Sequence, residues 1–193
     1  MDLVLIRHAL PFTIVGATGV ADPELTPLGL EQAAKVAEWL REEHFDALYT
    51  SPLRRARQTA APMAAQRGIE PIVRAGLAEY DQDSSEYVPL EELKRTNYDA
   101  WREVMRTGAY GANDPVAFQS TVVSAINEII DENPRRRVAL VCHGGVINVW
   151  TAHVLGMPTP FFFQPGYTSV SRFAAARSGE RTLLSLNETA HLR

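Results

Sequence analysis

The stretch LVLIRH at residues 3–8 and the stretch VALVCHGG at residues 138–145 have the same layout. In each, four apolar residues are followed by one further residue and then a histidine, His8 or His143. A short continuous apolar run is typical of a strand buried on both faces of a parallel sheet. The carboxyl ends of such strands lie at the sheet edge where ligands bind in open α/β folds. The two stretches therefore predict a parallel sheet with both histidines at its ligand-binding edge.

The residues between these strands predict an alternation of helices and further strands. Thr26 and Pro27 form a helix start, and Ser51 with Pro52 predicts a second one, because hydroxyl side chains cap helices and proline suits their first turn. The pattern of strands and helices indicates an α/β fold with a doubly wound, largely parallel sheet and helices on both faces. Further helices are predicted near 118–132 and 146–155, with one or two more over 90–105. Strands are predicted at 46–49 and 72–73, and a terminal hairpin pairs 167–175 with 182–186. Loops are predicted at 9–26 and 108–115, and a tight HGG turn at 143–145.

Length and composition fit one ordinary domain. The chain has 193 residues, of which 46% are hydrophobic and 22% charged, so it has enough apolar surface for a core of its own. We expect a single domain over 1–193 with a small inserted cap at about 69–115. Trp39 and Trp150 stand at apolar helical positions and are predicted to be core residues.

The same composition excludes several classes of site and partner. The single cysteine, Cys142, rules out a disulfide framework, and its strand position predicts a core residue. A net charge of -4 argues against general nucleic-acid binding. No apolar run approaches the roughly 18 residues of a membrane span, and the acid at Asp2 argues against a signal peptide. We therefore expect a cytoplasmic protein with no nucleic-acid and no membrane partner; the sequence indicates no oligomeric state.

Two histidines and an arginine at one sheet edge suit phosphate chemistry. A neutral imidazole can attack phosphorus, an arginine fork matches two phosphate oxygens, and a protonated second imidazole offsets charge on the transferring group. Gly144 and Gly145 let the backbone turn sharply, and the helix that follows offers free N–H groups to an anion. Either histidine alone would be read more readily as a buried core residue.

The segment SPLRRARQTA at residues 51–60 begins at the same edge, after a predicted strand. Its three arginines, Arg54, Arg55 and Arg57, cannot all point the same way on a helix. One can reach the phosphate pocket while the others lie in solvent. Three solvated surface arginines are the alternative interpretation.

Five motifs in chain order resemble those of the histidine phosphatase superfamily, the phosphoglycerate mutase-like family. They are LIRH at 5–8, LTPLG at 25–29 followed by QA at 32–33, SPLRRARQTA at 51–60, LAE at 77–79 and VCHGG at 141–145. The resemblance implies a phosphohistidine on His8 and phosphoryl oxygens held by Arg7, Arg55, His143 and Gly144. It also implies that Glu79 protonates the leaving alcohol and later activates water, without metal or other cofactor. Nearby acids that compete for the role of Glu79 are Asp81, Asp83 and Glu86.

The sequence departs from the family pattern after His8. The family continues with glycine, an acid or glutamine, and threonine or serine, whereas this chain has Ala9, Leu10 and Pro11. Ile14 replaces an asparagine that helps to bind phosphate, and Thr13 is a candidate substitute. These changes bear on substrate specificity more than on the core chemistry.

These observations predict a metal-independent phosphomonoester hydrolase acting on a small phosphorylated metabolite. The short insertion disfavours a cofactor-dependent phosphoglycerate mutase, which is one alternative. A catalytically idle module that binds phosphate or phosphoproteins is the other. Aromatic residues are predicted either to line an apolar leaving-group pocket or to hold the cap on the sheet; they are Phe12, Tyr80, Tyr87, Tyr98, Trp101, Tyr110 and residues 161–163.

Overall fold

The computed structural model describes residues 1–107, 114–158 and 161–193. The strands are β1 (Asp2–Arg7), β2 (Ala47–Thr50), β3 (Ile72–Val73), β4 (Arg137–Cys142), β5 (Val170–Ala175) and β6 (Arg181–Glu188). The α-helices are α1 (Pro27–Trp39), α2 (Arg54–Arg67), α3 (Leu90–Thr96), α4 (Tyr98–Thr107), α5 (Pro115–Glu132) and α6 (Gly144–Leu155). Short 3₁₀ helices span Ala75–Leu77 and Ala190–Leu192.

These strands form one six-stranded sheet in the order β3-β2-β4-β1-β5-β6. The first four strands are parallel, and β5 and β6 form the predicted antiparallel hairpin at one side. The predicted edge strand at Ile72–Val73 is present as β3, beside β2. The prediction of a largely parallel α/β sheet is confirmed.

Helices cover both faces of the sheet, because alternate residues of the buried strands point to opposite sides. Leu3 and Leu5 of β1 contact the apolar cluster that α5 and α6 supply. Val4 and Ile6 contact the cluster supplied by α1 and α2. Such strands are apolar at every position, which is why residues 3–6 and 138–141 form continuous runs.

Of the two tryptophans predicted to lie in the core, one does and the other does not. Trp150 is fully buried among the residues of the α5–α6 face. Trp39 is 37% exposed, so its prediction is wrong. It is the last residue of α1, and it lies between His191 of the C-terminal 3₁₀ helix, with ring centroids 5.0 Å apart, and the Arg172 guanidinium of β5, 6.0 Å above its ring.

Helix starts agree with the sequence at some positions and differ at others. Thr26 caps α1 and accepts a hydrogen bond from the Gly29 N–H at 3.0 Å, as predicted. The prediction that a helix starts at Pro52 with Ser51 as cap is wrong: α2 begins at Arg54, and no side chain caps it. The predicted HGG turn is also wrong, since Gly144 is already the first residue of α6.

Residues 69–107 add two short helices, α3 and α4, above the sheet edge, where one or two were predicted. Pro115 was expected in a loop, but it begins α5, with Asp114 as the cap that accepts from the Val116 N–H at 2.9 Å. The rest of that predicted loop, 108–113, lies outside the described residues, as does Tyr110. The division into a domain and a cap at 69–115 stays a prediction. Among the described helices, none combines the length and apolar character needed to cross a bilayer.

Candidate active site

Adjacent parallel strands place His8 and His143 side by side. In the β1–β4 register Arg7 pairs with Cys142, so each histidine is the first residue after its strand. The His8 N–H donates to the Cys142 carbonyl at 2.9 Å. The two ring centroids are 5.0 Å apart, and both side chains are buried. The sheet thus brings together two imidazoles that are 135 positions apart in sequence, from 8 to 143.

The ring of His8 is held in the tautomer that a nucleophile requires. Its Nδ1 lies 2.8 Å from the Ala9 carbonyl oxygen, which can only accept a hydrogen bond. Nδ1 therefore carries the proton, and Nε2 keeps its lone pair. Burial and the positive charges of Arg55 and Arg7 lower the pKa of His8 well below its usual value. The ring is consequently neutral at physiological pH and able to attack phosphorus.

His143 is oriented by Ser51 rather than by a charged group. Its Nε2 lies 2.7 Å from the Ser51 hydroxyl, which also accepts from the Leu53 N–H at 3.3 Å. Its Nδ1 is buried and has no partner among the described residues. Burial and the charge of Arg55 lower the pKa of His143 well below its usual value. This lowering favours the neutral ring in the free protein over the imidazolium considered from the sequence.

Arg7, the last residue of β1, has its guanidinium fixed on three sides. Nη1 donates to Glu91 Oε1 at 2.5 Å and to the Pro165 carbonyl, and the guanidinium carbon lies 4.1 Å above the Tyr167 ring. Its Nε is buried and has no partner among the described residues. The Nε faces the start of α6, since a Cβ placed on Gly144 would lie 3.8 Å from it.

Of the three arginines in the 51–60 segment, Arg55 is the one that points from α2 into the site. It is 1% exposed, donates to Asp81 Oδ1 at 3.1 Å and lies 4.5 Å over the Tyr87 ring. Its Nε is also buried without a partner. Arg54, one position earlier, is exposed and bonds Glu24 instead. The helical phase of α2 accounts for this difference.

A cavity of about 50 Å³ lies between these groups. Arg7, His8, Arg55, Glu79 and Gly144 all line it, so the structure brings the predicted site residues together, with His143 against the His8 ring. The remaining lining residues are Tyr80, Asp81, Tyr87, Val88, Pro89, Leu90, Met105, Gly145, Asn148, Phe161, Phe163, Gln164 and Pro165.

Glu79 is held at the N-terminus of α6. Its Oε2 accepts from the Gly145 N–H at 2.9 Å, and Oε1 accepts from the Tyr80 N–H at 3.2 Å. The approach requires glycine at 145, because a Cβ there would lie 2.2 Å from Glu79 Oε1. Burial and the neighbouring charge of Asp81 raise the pKa of Glu79 to about 7. A carboxyl with this pKa can both give and take a proton near neutrality.

The competing acids have other surroundings. Asp83 and Glu86 are exposed and do not line the cavity. Asp81 does line it, but its carboxylate is engaged by Arg55. Burial raises the pKa of Asp81, while the charge of Arg55 opposes that rise. The ion pair favours ionisation of Asp81 ahead of Glu79, which leaves Glu79 as the protonated member of the pair.

The chain after His8 is fastened by residues of the second and third motifs. The Ala9 N–H donates to Thr59 Oγ1 at 2.9 Å, and the Leu10 N–H donates to Gln32 Oε1 at 3.0 Å. Gly29 lies so close that a Cβ there would be 2.1 Å from the Leu10 carbonyl oxygen. Ala9 is fully buried without disturbing these contacts. The backbone therefore keeps its place despite the departure from the family pattern.

Thr13 does not supply the phosphate ligand expected of it. It is exposed, and its hydroxyl donates to Glu92 Oε2 at 2.8 Å. Ile14 pairs through its backbone with Tyr87 and offers no polar side chain. Because Thr13 lies on the exposed surface of the loop, it cannot take the place of the missing phosphate ligand.

The predicted aromatic residues divide between the cavity and the surface. Tyr80, Tyr87, Phe161 and Phe163 line the cavity. Others are peripheral: Phe12 is 48% exposed, and Tyr98 is 54% exposed and stacks on Trp101 with centroids 5.3 Å apart.

In the described parts of the chain, no group of three or more His, Cys, Asp or Glu residues could hold an ion. Cys142 is fully buried in the core, as predicted, and burial raises its pKa above the usual thiol value. A thiol in this state is a poor nucleophile.

Three site residues carry functions that the sequence did not assign to them. Ser51 orients His143, Glu91 pairs with Arg7, and Tyr167 stacks on the Arg7 guanidinium. Ser51 stood inside the 51–60 motif, and its place in that motif was the available signal. Glu91 and Tyr167 lie in segments with no periodicity that points to the site.

Comparisons with known proteins agree with this geometry. The profile of the histidine phosphatase superfamily (branch 1) matches residues 3–189. Phosphoserine phosphatase 1 of Hydrogenobacter thermophilus is 27% identical over 100% of this chain and 94% of its own. Glucosyl-3-phosphoglycerate phosphatase of Mycolicibacterium vanbaalenii is 28% identical over 81% of this chain and 75% of its own. A crystal structure of a mutant phosphoserine phosphatase from Entamoeba histolytica in complex with phosphoserine is 28% identical, covers 100% of this chain and 99% of its own, and has a TM-score of 0.79. The chain belongs to the histidine phosphatase superfamily.

Proposed function

We propose that the protein is a phosphomonoester hydrolase that forms a covalent phosphohistidine on His8 and uses Glu79 as its acid and base. The observation that carries the proposal is the His8 ring, with Nδ1 against the Ala9 carbonyl, beside a cavity lined by Arg7 and Arg55, whose buried Nε groups have no partner among the described residues. The His143 ring lies against His8, and its Nδ1 is likewise buried without a partner in the described part of the chain. Unpaired buried donors are costly unless a ligand satisfies them, and a phosphoryl group offers the matching acceptors.

In the first step, His8 Nε2 attacks phosphorus and the bond from phosphorus to the ester oxygen breaks. Glu79 gives its proton to that oxygen, so the alcohol leaves neutral and Glu79 becomes a carboxylate. The donors on Arg7, Arg55 and His143 stabilise charge on the three phosphoryl oxygens. Protonation matters because an alkoxide is a poor leaving group.

In the second step, the Glu79 carboxylate takes a proton from water as the water oxygen attacks phosphorus. The bond from phosphorus to Nε2 breaks, inorganic phosphate leaves, and both His8 and Glu79 return to their starting states. A pKa of about 7 suits both halves of this cycle, because neither protonation state of Glu79 is strongly disfavoured. No metal ion enters either step.

The substrate class we propose is a small phosphorylated metabolite. The names of the relatives, which are phosphatases of phosphoserine and of glucosyl-3-phosphoglycerate, support hydrolysis of small phosphate monoesters, and their leaving groups are not carried over to this chain. The cavity is small, about 50 Å³, and is lined by both arginines and by apolar side chains, which suits a small ester rather than a polymer.

The test is hydrolysis of p-nitrophenyl phosphate in chelator by the wild type, His8→Ala and His44→Ala. His44 is a matched control, because its side chain is 82% exposed and lies outside the cavity. We expect chelator-resistant turnover in the wild type and His44→Ala, and its loss in His8→Ala. Phosphorus NMR identifies the product as inorganic phosphate, whereas a mutase would transfer the group to another alcohol. Turnover that survives His8→Ala contradicts the proposal, and phosphate binding without turnover would indicate an idle binding module.

A further inference from the structure

We propose that the site selects phosphate esters whose leaving group carries no carboxylate, and that Glu91 enforces this choice. The inference rests on the proposed hydrolase function and names the substrate class of the same site. It follows from the charges that already surround the two arginines and from the character of the cavity wall.

Both arginines already have an acidic partner before substrate arrives. Arg7 donates to Glu91 through Nη1 at 2.5 Å and Nη2 at 3.4 Å, and Arg55 donates to Asp81 at 3.1 Å. Burial alone would raise the pKa of Glu91, but the charge of Arg7 outweighs it and the pKa is lowered, so the carboxylate is ionised. The Nε groups of both arginines therefore stay available to a phosphoryl group. The positive charge of each guanidinium is already largely offset by its acidic partner, so it attracts a second anion only weakly.

Further cations are missing from the wall. Of the described residues that line the cavity, Arg7 and Arg55 are the sole lysines or arginines. The sequence has no Lys, Arg or His at 108–113 or 159–160 either. A carboxylate on the leaving group would thus lie near Glu79, Asp81 and Glu91 with no free cation to compensate it.

The wall beyond the phosphate end is apolar. It includes Val88, Leu90, Met105, Phe161 and Phe163. An alkyl or aryl leaving group gains by burial against these side chains, whereas a carboxylate loses its hydration there. Apolar contact and charge repulsion therefore both favour a leaving group without a carboxylate.

Glu91 occupies the position where a carboxylate would otherwise be recognised. The outer edge of an arginine guanidinium is the usual fork for carboxylates, and Glu91 already binds this edge of Arg7. Its side chain is 37% exposed, and it reaches the cavity through Arg7, which lines it. A substrate carboxylate would have to displace it against like charge. Glu91 is therefore a specificity-determining residue.

The experiment compares two matched pairs of esters that differ by one carboxylate. Phosphoethanolamine is paired with phosphoserine, and phenyl phosphate with 4-carboxyphenyl phosphate. The second pair is conservative, because the carboxylated phenol is the better leaving group. We expect kcat/KM to be at least tenfold higher for the ester without the carboxylate in each pair. In Glu91→Gln the ratio shrinks, chiefly through a lower KM for the carboxylated ester.

Glu92→Gln is the matched control. Glu92 is adjacent and half-buried, and its carboxylate accepts from Thr13, whereas Glu91 is the acid bonded to Arg7. We expect it to keep the wild-type ratio. Equal kcat/KM within both pairs, or a wild-type ratio in Glu91→Gln, overturns the inference while leaving the hydrolase function intact. Absence of turnover of all four esters overturns the proposed function and the inference with it.

Discussion

Replacing Gly145 by alanine tests whether Glu79 acts from the position in which the structure holds it. The added Cβ would lie 2.2 Å from Glu79 Oε1 and 3.0 Å from its carboxyl carbon. Ordinary contact between such atoms begins near 3.4 Å, so the carboxyl must retreat by about 1 Å. The retreat also breaks the 2.9 Å hydrogen bond from the Gly145 N–H.

The size of the effect follows from this displacement. A misplacement of about 1 Å can cost roughly 100-fold in rate, and loss of general acid catalysis costs about 10²- to 10⁴-fold. We expect hydrolysis of an alkyl phosphate to fall about 100-fold or more by these measures. An aryl phosphate, whose leaving group needs less protonation, should lose less than about tenfold. Folding should not suffer, because Gly145 is helical and alanine is the better helix former by about 1 kcal/mol.

The assay is steady-state release of phosphate from butyl phosphate and p-nitrophenyl phosphate, with thermal unfolding as a check on folding. Gly19→Ala is the control, because no atom lies within 4 Å of a Cβ built there and its φ is not in the left-handed region. Equal losses for the two esters in Gly145→Ala, or an alkyl rate within threefold of the wild type, would refute the role of Glu79.

Three further predictions concern the pKa of Glu79, the charge of Asp81 and the burial of Trp150. Because protonated Glu79 is the acid and its pKa is about 7, kcat for alkyl phosphates should fall as pH rises through 7, and Glu79→Gln should abolish this limb of the profile. Asp81→Asn removes the charge that raises the pKa of Glu79, so the same limb should move to lower pH in kcat profiles of that variant. Trp150→Ala should lower the free energy of unfolding by about 3–5 kcal/mol, because the ring is fully buried, whereas Trp39→Ala should cost less; urea denaturation measures both.

The central sheet was predictable from the sequence because its strands are buried on both faces. Continuous apolar runs at 3–6 and 138–141 are the direct consequence of helices on both sides. The positions of His8 and His143 follow from the strand ends, which the register of β1 and β4 then aligns. Arg55 could be distinguished from its neighbours only once the phase of α2 was known, since α2 starts two residues after the predicted Pro52.

The roles of several site residues depend on tertiary contacts that no local sequence pattern indicates. Ser51 precedes a proline, which is typical of a helix cap, but its hydroxyl is used by His143. Glu91 reaches Arg7 because of how α3 lies above the sheet edge, and no local pattern encodes that placement. Trp39 has core periodicity, yet it lies at the partly exposed end of α1 against His191 of the C-terminal segment.

Direct detection of the phosphorylated histidine tests the account most closely. The enzyme is mixed with excess substrate in chelator, quenched in base within milliseconds, digested and mapped by mass spectrometry. The account predicts an acid-labile, base-stable phosphoryl group on His8, and no such group in His8→Ala. A phosphoryl group on another residue, or rapid turnover with no phosphorylated protein at any quench time, would contradict attack by the His8 Nε2.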